Sequence, residues 1–345
     1  MIEGLGIERG ALAAYLAPFV PACRDITSVE KFGTGQSNPT YLLRTPNANY
    51  VLRSKPPGPL LRSAHLVERE YRVMAALAGT GIPVPEVFHL ANDNVSPTGR
   101  AFFLMAWLDG RIFWDPVVSE LPSGDRGSLY DDMNAVLARL HSLDVGQLGL
   151  ADFGKPGNYF ARQTDRWTRQ YTTSASQPLE KMIFLADWLN GAMPEDDGQN
   201  ALVHGDWRLD NLMIAREAPR VIGVLDWELA TLGHPMADLA YQCMQWRLPH
   251  VGPMRGLGGV DRAMLGLPSE QEYLASYVSR RGLAGIDNWT FCLVFSFFRL
   301  AAILAGVARR AAEGNASNPE TARRYGEAVP ELARQAYELT QEGAA

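Results

Sequence analysis

Residues 201–214 read ALVHGDWRLDNLMI, and residues 220–230 read RVIGVLDWELA. A short apolar run leads into a tight polar loop, and two β-rich runs follow, the second ending in Asp-Trp-Glu. The polar residues of this stretch are His204, Asp206, Arg208, Asp210, Asn211 and Asp226. A packing core does not need this density of polar groups, so the stretch is a candidate active site.

The spacing within the stretch fits phosphoryl transfer. Kinases place a base carboxylate on such a loop, a metal-binding Asn five residues later, and a metal-binding Asp after the next hairpin. Asp206 and Asn211 have that spacing, and Asp226 ends the returning strand. Any one of these residues alone is explained as a turn former that bonds its own backbone. A turn needs only one such residue, so the ordered set favours a kinase.

The pattern His-Gly-Asp-x-x-x-x-Asn with a later Asp resembles the aminoglycoside and choline phosphotransferases, which are small-molecule kinases. The runs GQSNPTY (residues 35–41) and VLRSKPPG (residues 51–58) resemble the kinase-like domain attached to certain acyl-CoA dehydrogenases and its free-standing bacterial relatives. This resemblance covers the chain from about Ser28 onward. It implies a two-lobed, protein-kinase-like α+β fold. Residues 1–108 would form a nucleotide-binding lobe with an antiparallel sheet and a helix, and residues 109–345 a mainly helical catalytic and substrate-binding lobe.

The resemblance also implies roles for the central residues. Asp206 would orient and deprotonate an acceptor hydroxyl, and Arg208 would reach the transferred group. Asn211 and Asp226 would hold Mg²⁺ on the phosphates of ATP, since both supply hard oxygen ligands. The triplet Asp152-Phe153-Gly154 is spelled like a kinase metal motif, but it precedes the loop that carries Asp206, whereas the metal-binding Asp of a kinase follows that loop. We therefore predict an ordinary turn there.

A Gly-rich turn between the first two β-like runs is a candidate phosphate cover, because glycines let the backbone N–H groups approach phosphate oxygens. Its candidate residues are Gly33, Gly35, Gln36, Ser37 and Asn38. The third β-like run then brings Arg53 to the position where kinases carry a Lys. Lys55 lies on the same strand face by alternation and is the alternative phosphate-binding cation. Arg keeps the charge and can bond two phosphate oxygens.

The next helix and strand complete the predicted nucleotide site. Kinases anchor the strand cation with a Glu from the following helix, and Glu70 fits the family register better than Glu68. The backbone from Met105 to Trp107 resembles the hinge that holds adenine. Further along the chain, Asp238 resembles a buried carboxylate that supports the base loop, and we expect His141 to be structural.

Composition excludes several other classes of protein. A net charge of −6 argues against general nucleic-acid binding. Three widely spaced cysteines give neither a disulfide framework nor a zinc site, and the first residues carry no secretory pattern, so we expect a cytoplasmic protein. Residues 289–307 are apolar enough to imitate a membrane span, but Arg299 in the middle favours a buried core helix.

The expected function is ATP-dependent phosphorylation of a small-molecule alcohol, with no nucleic-acid or membrane partner and a possible link to an acyl-CoA dehydrogenase. The segments expected beside the substrate lean basic: Arg162, Arg166, Arg169, Lys181, Arg247, Arg255 and Arg262 outnumber Asp165, Glu180 and Asp261. Since Arg binds planar anions, this favours an anionic alcohol such as a hydroxyacyl-CoA. The alternatives are an aminoglycoside-type antibiotic kinase and a non-catalytic, nucleotide-binding pseudokinase.

Overall fold

The structure, a computed structural model, describes residues 1–33, 38–58, 65–175, 177–252, 254–313 and 319–342. The chain divides into two units, Met1–Arg111 with Ile222–Ala230, and Ile112–Val221 with Thr231–Ala345. The sequence prediction places one boundary after residue 108 and assigns everything beyond it to one lobe. Residues 222–230 instead fold with the first unit, because Val224 N donates to the Pro83 carbonyl (2.7 Å) and the Arg69 guanidinium donates to the Ala230 carbonyl.

The first unit is built on a five-stranded antiparallel sheet in the order β1-β2-β3-β5-β4. Its elements are α1 (Arg9–Leu16), β1 (Ser28–Lys31), β2 (Thr40–Arg44), β3 (Asn49–Ser54), α2 (Val67–Leu77), β4 (Val87–Ala91), β5 (Phe102–Ala106) and β6 (Gly110–Arg111). Apolar residues of α1, including Leu12 and Leu16, form a buried cluster with Leu43, Leu52 and Phe102 of the sheet. The amphipathic helix α2 packs against β4 and β5. The predicted antiparallel sheet with a helix is confirmed.

The second unit is mainly helical. Its elements are α3 (Ser123–His141), α4 (Tyr159–Ser174), α5 (Glu180–Gly191), β7 (Ala201–Val203), β8 (Leu212–Ala215), β10 (Thr231–Gly233), α6 (Met236–Cys243), α7 (Glu270–Arg281), α8 (Trp289–Ala312), α9 (Pro319–Glu327) and α10 (Val329–Glu342), and β9 (Val221–Val224) leads out of it. Strands β7 and β10 pair antiparallel, with Leu202 opposite Leu232. The β7–β10 ribbon therefore holds both ends of residues 201–230 together, and the loop that carries Asp206 follows β7 directly.

Helix α8 organises the second unit. It packs against α4, α5, α6, α9 and α10. By length and composition it is a candidate membrane span, yet 78% of its most apolar window is buried inside the protein. The expected core helix is confirmed, and its one central charge, Arg299, lies inside that core with 4% of its surface exposed.

Candidate functional site

The base loop runs from β7 to β8 and is closed by Asn211. The side-chain nitrogen Nδ2 of Asn211 donates to the Asp206 carbonyl at 2.8 Å and to the Asp206 carboxylate oxygen Oδ2 at 2.9 Å. These bonds fix the direction of the carboxylate. They also commit the amide nitrogen of Asn211, so its carbonyl oxygen Oδ1 is the atom that it has to offer a metal ion.

The charges around Asp206 keep it ionised. Burial alone raises the pKa of its carboxyl, but the charges of Arg208 and His204 and a hydrogen bond from the Tyr241 hydroxyl outweigh burial and hold that pKa below its ordinary value. An ionised carboxylate with a fixed direction can accept a hydrogen bond from a substrate hydroxyl. The geometry therefore suits the base role predicted for Asp206.

A buried carboxylate supports the loop from behind. Asp238, on α6, accepts hydrogen bonds from the backbone N–H of His204 (2.6 Å) and of Gly205 (2.8 Å). His141 Nε2 lies 3.3 Å from Asp238 Oδ2, and His141 Nδ1 lies 2.7 Å from the Tyr277 hydroxyl. Asp238 and His141 have the structural positions expected from the sequence.

Arg299, on α8, also supports the loop, which the sequence did not reveal. Its guanidinium donates to the Gly205 carbonyl. Its Cζ atom lies 5.6 Å from the centre of the Trp167 ring and 5.1 Å from that of Tyr241. The cost of burying this charge is offset by two aromatic faces and a loop carbonyl. The only sequence signal was a charge in an apolar helix.

Replacing Arg299 should therefore destabilise the second unit. Arg299→Met keeps most of the side-chain volume but leaves the buried Gly205 carbonyl without its donor, which costs about 1–3 kcal/mol. Urea unfolding should show this loss of unfolding free energy. Arg310→Met, at the exposed end of the same helix, should stay within about 0.5 kcal/mol of wild type. Equal effects of the two substitutions would contradict the role given to Arg299.

Arg208 forms an ion pair with Asp210 at the start of the short turn Leu209–Asn211. Burial lowers the pKa of Arg208, but the nearby charges of Asp210 and Asp206 more than reverse this, so the guanidinium stays charged. Its charge is shared with two carboxylates of its own loop. The predicted contact of Arg208 with the transferred group stays a prediction.

A cavity of about 300 Å³ adjoins the base loop within the second unit, and we call it the Tyr241 pocket. Its uncharged walls include Phe113, Trp114, Tyr241, Met244, Leu248, Leu300 and Tyr325. Its charged lining residues are Arg208, Asp210, Arg255 and Arg324. Tyr241 and Arg208 line this pocket and both interact with Asp206, so one side chain separates the pocket from the candidate base.

Most of the basic residues expected beside the substrate have other roles in the structure. Arg247 pairs with Glu270, and Arg169 pairs with Asp165 at 2.7 Å. Arg162 and Arg262 donate to backbone carbonyls. Of the predicted set, Arg255 lines the Tyr241 pocket, where it is joined by Arg324, which the sequence reading missed. Arg162, Arg169, Arg247 and Arg262 thus have partners within the protein, and the predicted preference for an anionic acceptor stays a prediction.

The aromatic residues of the same segments also serve packing. Trp167 is 4% exposed, and Trp246 is buried with its Nε1 donating to the Pro268 carbonyl at 2.9 Å. The Tyr171 hydroxyl accepts a bond from Leu179 N at 2.9 Å. The Asp152–Gly154 triplet lies in a turn of the second unit, as expected, with Gly154 packed closely against β10.

In the first unit, Arg53 is the centre of an acidic cluster. Its Nε lies 2.9 Å from Glu70, its Nη2 lies 2.5 Å from Asp226, and the same Nη2 lies 3.9 Å from Glu228. Lys55, the alternative cation, pairs with Glu68 at 2.5 Å and with Asp93 at 2.8 Å. Arg53 therefore pairs with Glu70, as the family register predicts, and Lys55 pairs with Glu68; the phosphate-binding role of Arg53 stays a prediction.

Glu70 is held in place by more than Arg53. Burial, the largest influence, raises its pKa to about 7, against the opposing effects of Arg53 and of a hydrogen bond from Asn38. Asn38 Nδ2 donates to Glu70 at 2.9 Å, and Asn38 Oδ1 lies 3.0 Å from His65 Nδ1. The buried side chain of Asn38 is therefore committed to orienting Glu70, while the prediction that its backbone covers phosphates stays a prediction.

Asp226 stands in a left-handed backbone conformation, with φ 64° and ψ 59°. Few residues other than glycine adopt it, and such positions concentrate at functional sites. Oxygen atoms of Asp226, Glu70 and Glu228 lie within 4.8 Å of one another. These hard donors suit Mg²⁺, although Arg53 now pairs with Asp226. Glu228 was not predicted, and the Asp-Trp-Glu sequence was the signal that could have revealed it.

The remaining nucleotide-side predictions are only partly described. Gly33 is exposed at the end of the first strand, and a Cβ atom there would meet nothing within 4 Å. Gly35, Gln36 and Ser37 lie outside the described residues. The ring of Trp107 stacks on Phe32, with ring centres 6.0 Å apart and an interplanar angle of 7°.

In the predicted hinge segment, Met105 to Trp107, two backbone amides have partners within the protein. The Ala106 N–H donates to the Glu86 carbonyl at 2.8 Å, and the Trp107 N–H donates to the Asn49 carbonyl at 3.4 Å. Adenine binding by this segment would therefore rest on carbonyl oxygens and on the Trp107 ring. That contact stays a prediction.

Comparison with known proteins places these features in a family context. The Phosphotransferase enzyme family matches residues 28–272. Acyl-CoA dehydrogenase family member 10 of Mus musculus is 44% identical over 91% of this chain, and probable acyl-CoA dehydrogenase IBR3 of Arabidopsis thaliana is 43% identical over 89%. The chain spans only 29% and 39% of the lengths of these relatives.

Solved structures show the same fold. A Ralstonia eutropha protein provisionally assigned as an aminoglycoside phosphotransferase has 42% identity and a TM-score of 0.87, covering 97% of this chain and 98% of its own. A spectinomycin phosphotransferase, solved with ADP and spectinomycin, has 13% identity and a TM-score of 0.62, covering 96% and 99%. The predicted kinase-like α+β fold is confirmed.

Proposed function

We propose, from the premise that this chain belongs to the Phosphotransferase enzyme family, that it is a cytoplasmic kinase that transfers the terminal phosphoryl group of ATP to a small-molecule hydroxyl. The observation that carries this proposal is the Asp206–Asn211 loop. It presents an ionised, oriented carboxylate beside a pocket and holds a metal-type amide oxygen next to it.

Each residue of the loop has a distinct part in this reaction. Asp206 accepts the hydroxyl proton, which directs the hydroxyl oxygen toward phosphorus. Arg208 places positive charge near the transferred group. Asp238 and Arg299 hold the loop in place through its backbone N–H and C=O groups, and such fixed positioning supplies much of the rate in phosphoryl transfer.

The nucleotide would be held chiefly by the first unit. Arg53 binds phosphate oxygens while Glu70 keeps it oriented. Asp226, with Glu228 nearby, would bind Mg²⁺, which neutralises charge on the phosphates when bound. Asn211 of the base loop keeps its predicted role as a metal ligand. The ADP-bound spectinomycin phosphotransferase and a GDP-bound aminoglycoside 2′-phosphotransferase-IIIa support a nucleotide in this fold. ATP as the donor is part of our proposal.

For the acceptor we propose an anionic alcohol, possessing either a free carboxylate, as in a hydroxy acid, or carrier phosphates, as in a hydroxyacyl-CoA. The relatives named as acyl-CoA dehydrogenases support a functional link to acyl thioester chemistry. Because the match covers a minority of their length, the dehydrogenase activity itself is not transferred to this chain.

A second candidate is a non-catalytic nucleotide-binding protein that serves an acyl-CoA dehydrogenase. The ion pair between Arg53 and Asp226 favours this non-catalytic candidate, because the pair occupies Asp226, a predicted metal ligand. Asp206, Asn211 and Asp226 are all retained, however, which favours catalysis.

A panel of alcohols assayed for ADP release tests the proposal. We expect Mg²⁺-dependent turnover with 3-hydroxybutyrate or 3-hydroxybutyryl-CoA to exceed turnover with kanamycin, and to fall as salt screens the pocket. Efficient use of kanamycin with none of either acid derivative would establish the aminoglycoside alternative. Tight ATP binding without turnover on any alcohol would establish the pseudokinase alternative.

A further inference from the structure

The Tyr241 pocket carries two arginines that come from separate parts of the second unit. Arg255 follows the short turn Met244–Trp246, and Arg324 belongs to α9. Both side chains are exposed. Among the residues that the structure describes, neither guanidinium has a hydrogen-bond or ion-pair partner, unlike Arg208, which pairs with Asp210 in the same pocket.

The charge balance of the pocket follows directly from these contacts. Arg208 and Asp210 neutralise each other, so Arg255 and Arg324 leave the pocket with two positive charges. A polycation placed there would face both charges, with the one acidic lining residue already paired. An anion would gain two guanidinium donors, which bind carboxylate and phosphate groups through parallel hydrogen bonds.

The shape and the walls of the pocket restrict the rest of the ligand. Its volume of about 300 Å³ is at the lower end for small-molecule sites. Phe113, Met244, Leu248 and Leu300 supply the apolar part of its walls, and this part suits a short hydrocarbon body. Tyr241 lines the pocket, and its hydroxyl donates a hydrogen bond to the Asp206 carboxylate.

We propose that Arg255 and Arg324 form the specificity subsite of the acceptor. They bind its anionic group while a hydroxyl on its hydrocarbon body reaches Asp206. This inference rests on the proposed kinase function and assigns the residues that choose the substrate. The anion is either the carboxylate of a free hydroxy acid or a phosphate of a coenzyme A carrier, since both offer the same chemistry to a guanidinium.

Single substitutions with a matched neighbour test this subsite. Arg255→Gln and Arg324→Gln should each raise KM for the anionic acceptor about tenfold, with kcat little changed, because each removes one charge-assisted interaction. Arg323→Gln, one position away on α9 and outside the pocket lining, should match wild type. Methyl 3-hydroxybutyrate, which lacks the anion, should show the same KM with wild type and both pocket variants.

The acceptors distinguish the two sources of the anion. A KM increase confined to 3-hydroxybutyrate would place a carboxylate on the arginines, and one confined to 3-hydroxybutyryl-CoA would place a carrier phosphate there. Wild-type KM values in both pocket variants, or an equal loss with the neutral ester, would overturn the subsite while leaving the kinase function intact. Absence of turnover with every alcohol would overturn the kinase function, and this subsite with it.

Discussion

Asp206→Asn should lower turnover by at least ~10²-fold, the lower range for a positioned acid–base group. Asn fits the same space and can still accept the hydrogen bond from Tyr241, but it cannot take a proton from the acceptor hydroxyl. Nucleotide binding should persist, because Arg53 and Glu70 do not depend on this carboxylate. ADP release measures the first effect, and calorimetric titration with an ATP analogue measures the second.

The matched control is Asp187→Asn, an identical change of charge at an exposed position of α5, which should keep wild-type turnover. Wild-type activity in Asp206→Asn would remove the base from the proposed mechanism. If Asp206→Asn lost nucleotide binding as well as turnover, the loop itself would have lost its structure. The lost turnover would then not report on proton transfer.

Removing the Asp226 carboxylate should weaken Mg²⁺-dependent ATP binding at least ~10-fold, in line with the cost of disturbing a metal site. Asp226→Ala removes the ligand but places Ala in a left-handed conformation. Asp226→Gly removes the same carboxylate at a backbone that glycine adopts freely. Titration of ATP with and without Mg²⁺ should show the same loss in both variants.

Asp152→Ala provides the comparison for this pair of variants, because Asp152 begins the misplaced Asp-Phe-Gly triplet. We expect it to bind Mg²⁺–ATP nearly as wild type does. If Asp152 proved essential and Asp226 dispensable, the assignment of the metal ligands would be reversed. If Asp226→Ala lost Mg²⁺–ATP binding and Asp226→Gly kept it, backbone strain and not loss of a metal ligand would be the cause.

The sequence predicted those features that depend on spacing within one segment. The relation of Asp206 to Asn211 is five residues long, and a loop of that length leaves few ways to arrange them. The choice of Glu70 over Glu68 followed from the family register, and Arg53 does pair with Glu70. The first relation could be predicted because it is local, and the second because the resemblance supplies the register.

Contacts between distant segments could not be predicted in the same way. Arg299 meets a loop carbonyl 94 positions away, and no local pattern specifies that partner. The partner of each basic residue depends on which carboxylate or carbonyl the fold brings near it, as Glu270 is brought near Arg247. Arg324 was overlooked because α9 joins the pocket only through tertiary packing.

The ion pair between Arg53 and Asp226 bears on the order in which ligands enter. Arg53 contacts Asp226 and Glu70 and lies near Glu228, so a lone Mg²⁺ ion would compete with the guanidinium for these carboxylates. A Mg²⁺–nucleotide complex would bring phosphates that Arg53 could bind in place of Asp226, leaving that carboxylate to the metal. We therefore expect Arg53 to make metal binding at Asp226 depend on the nucleotide.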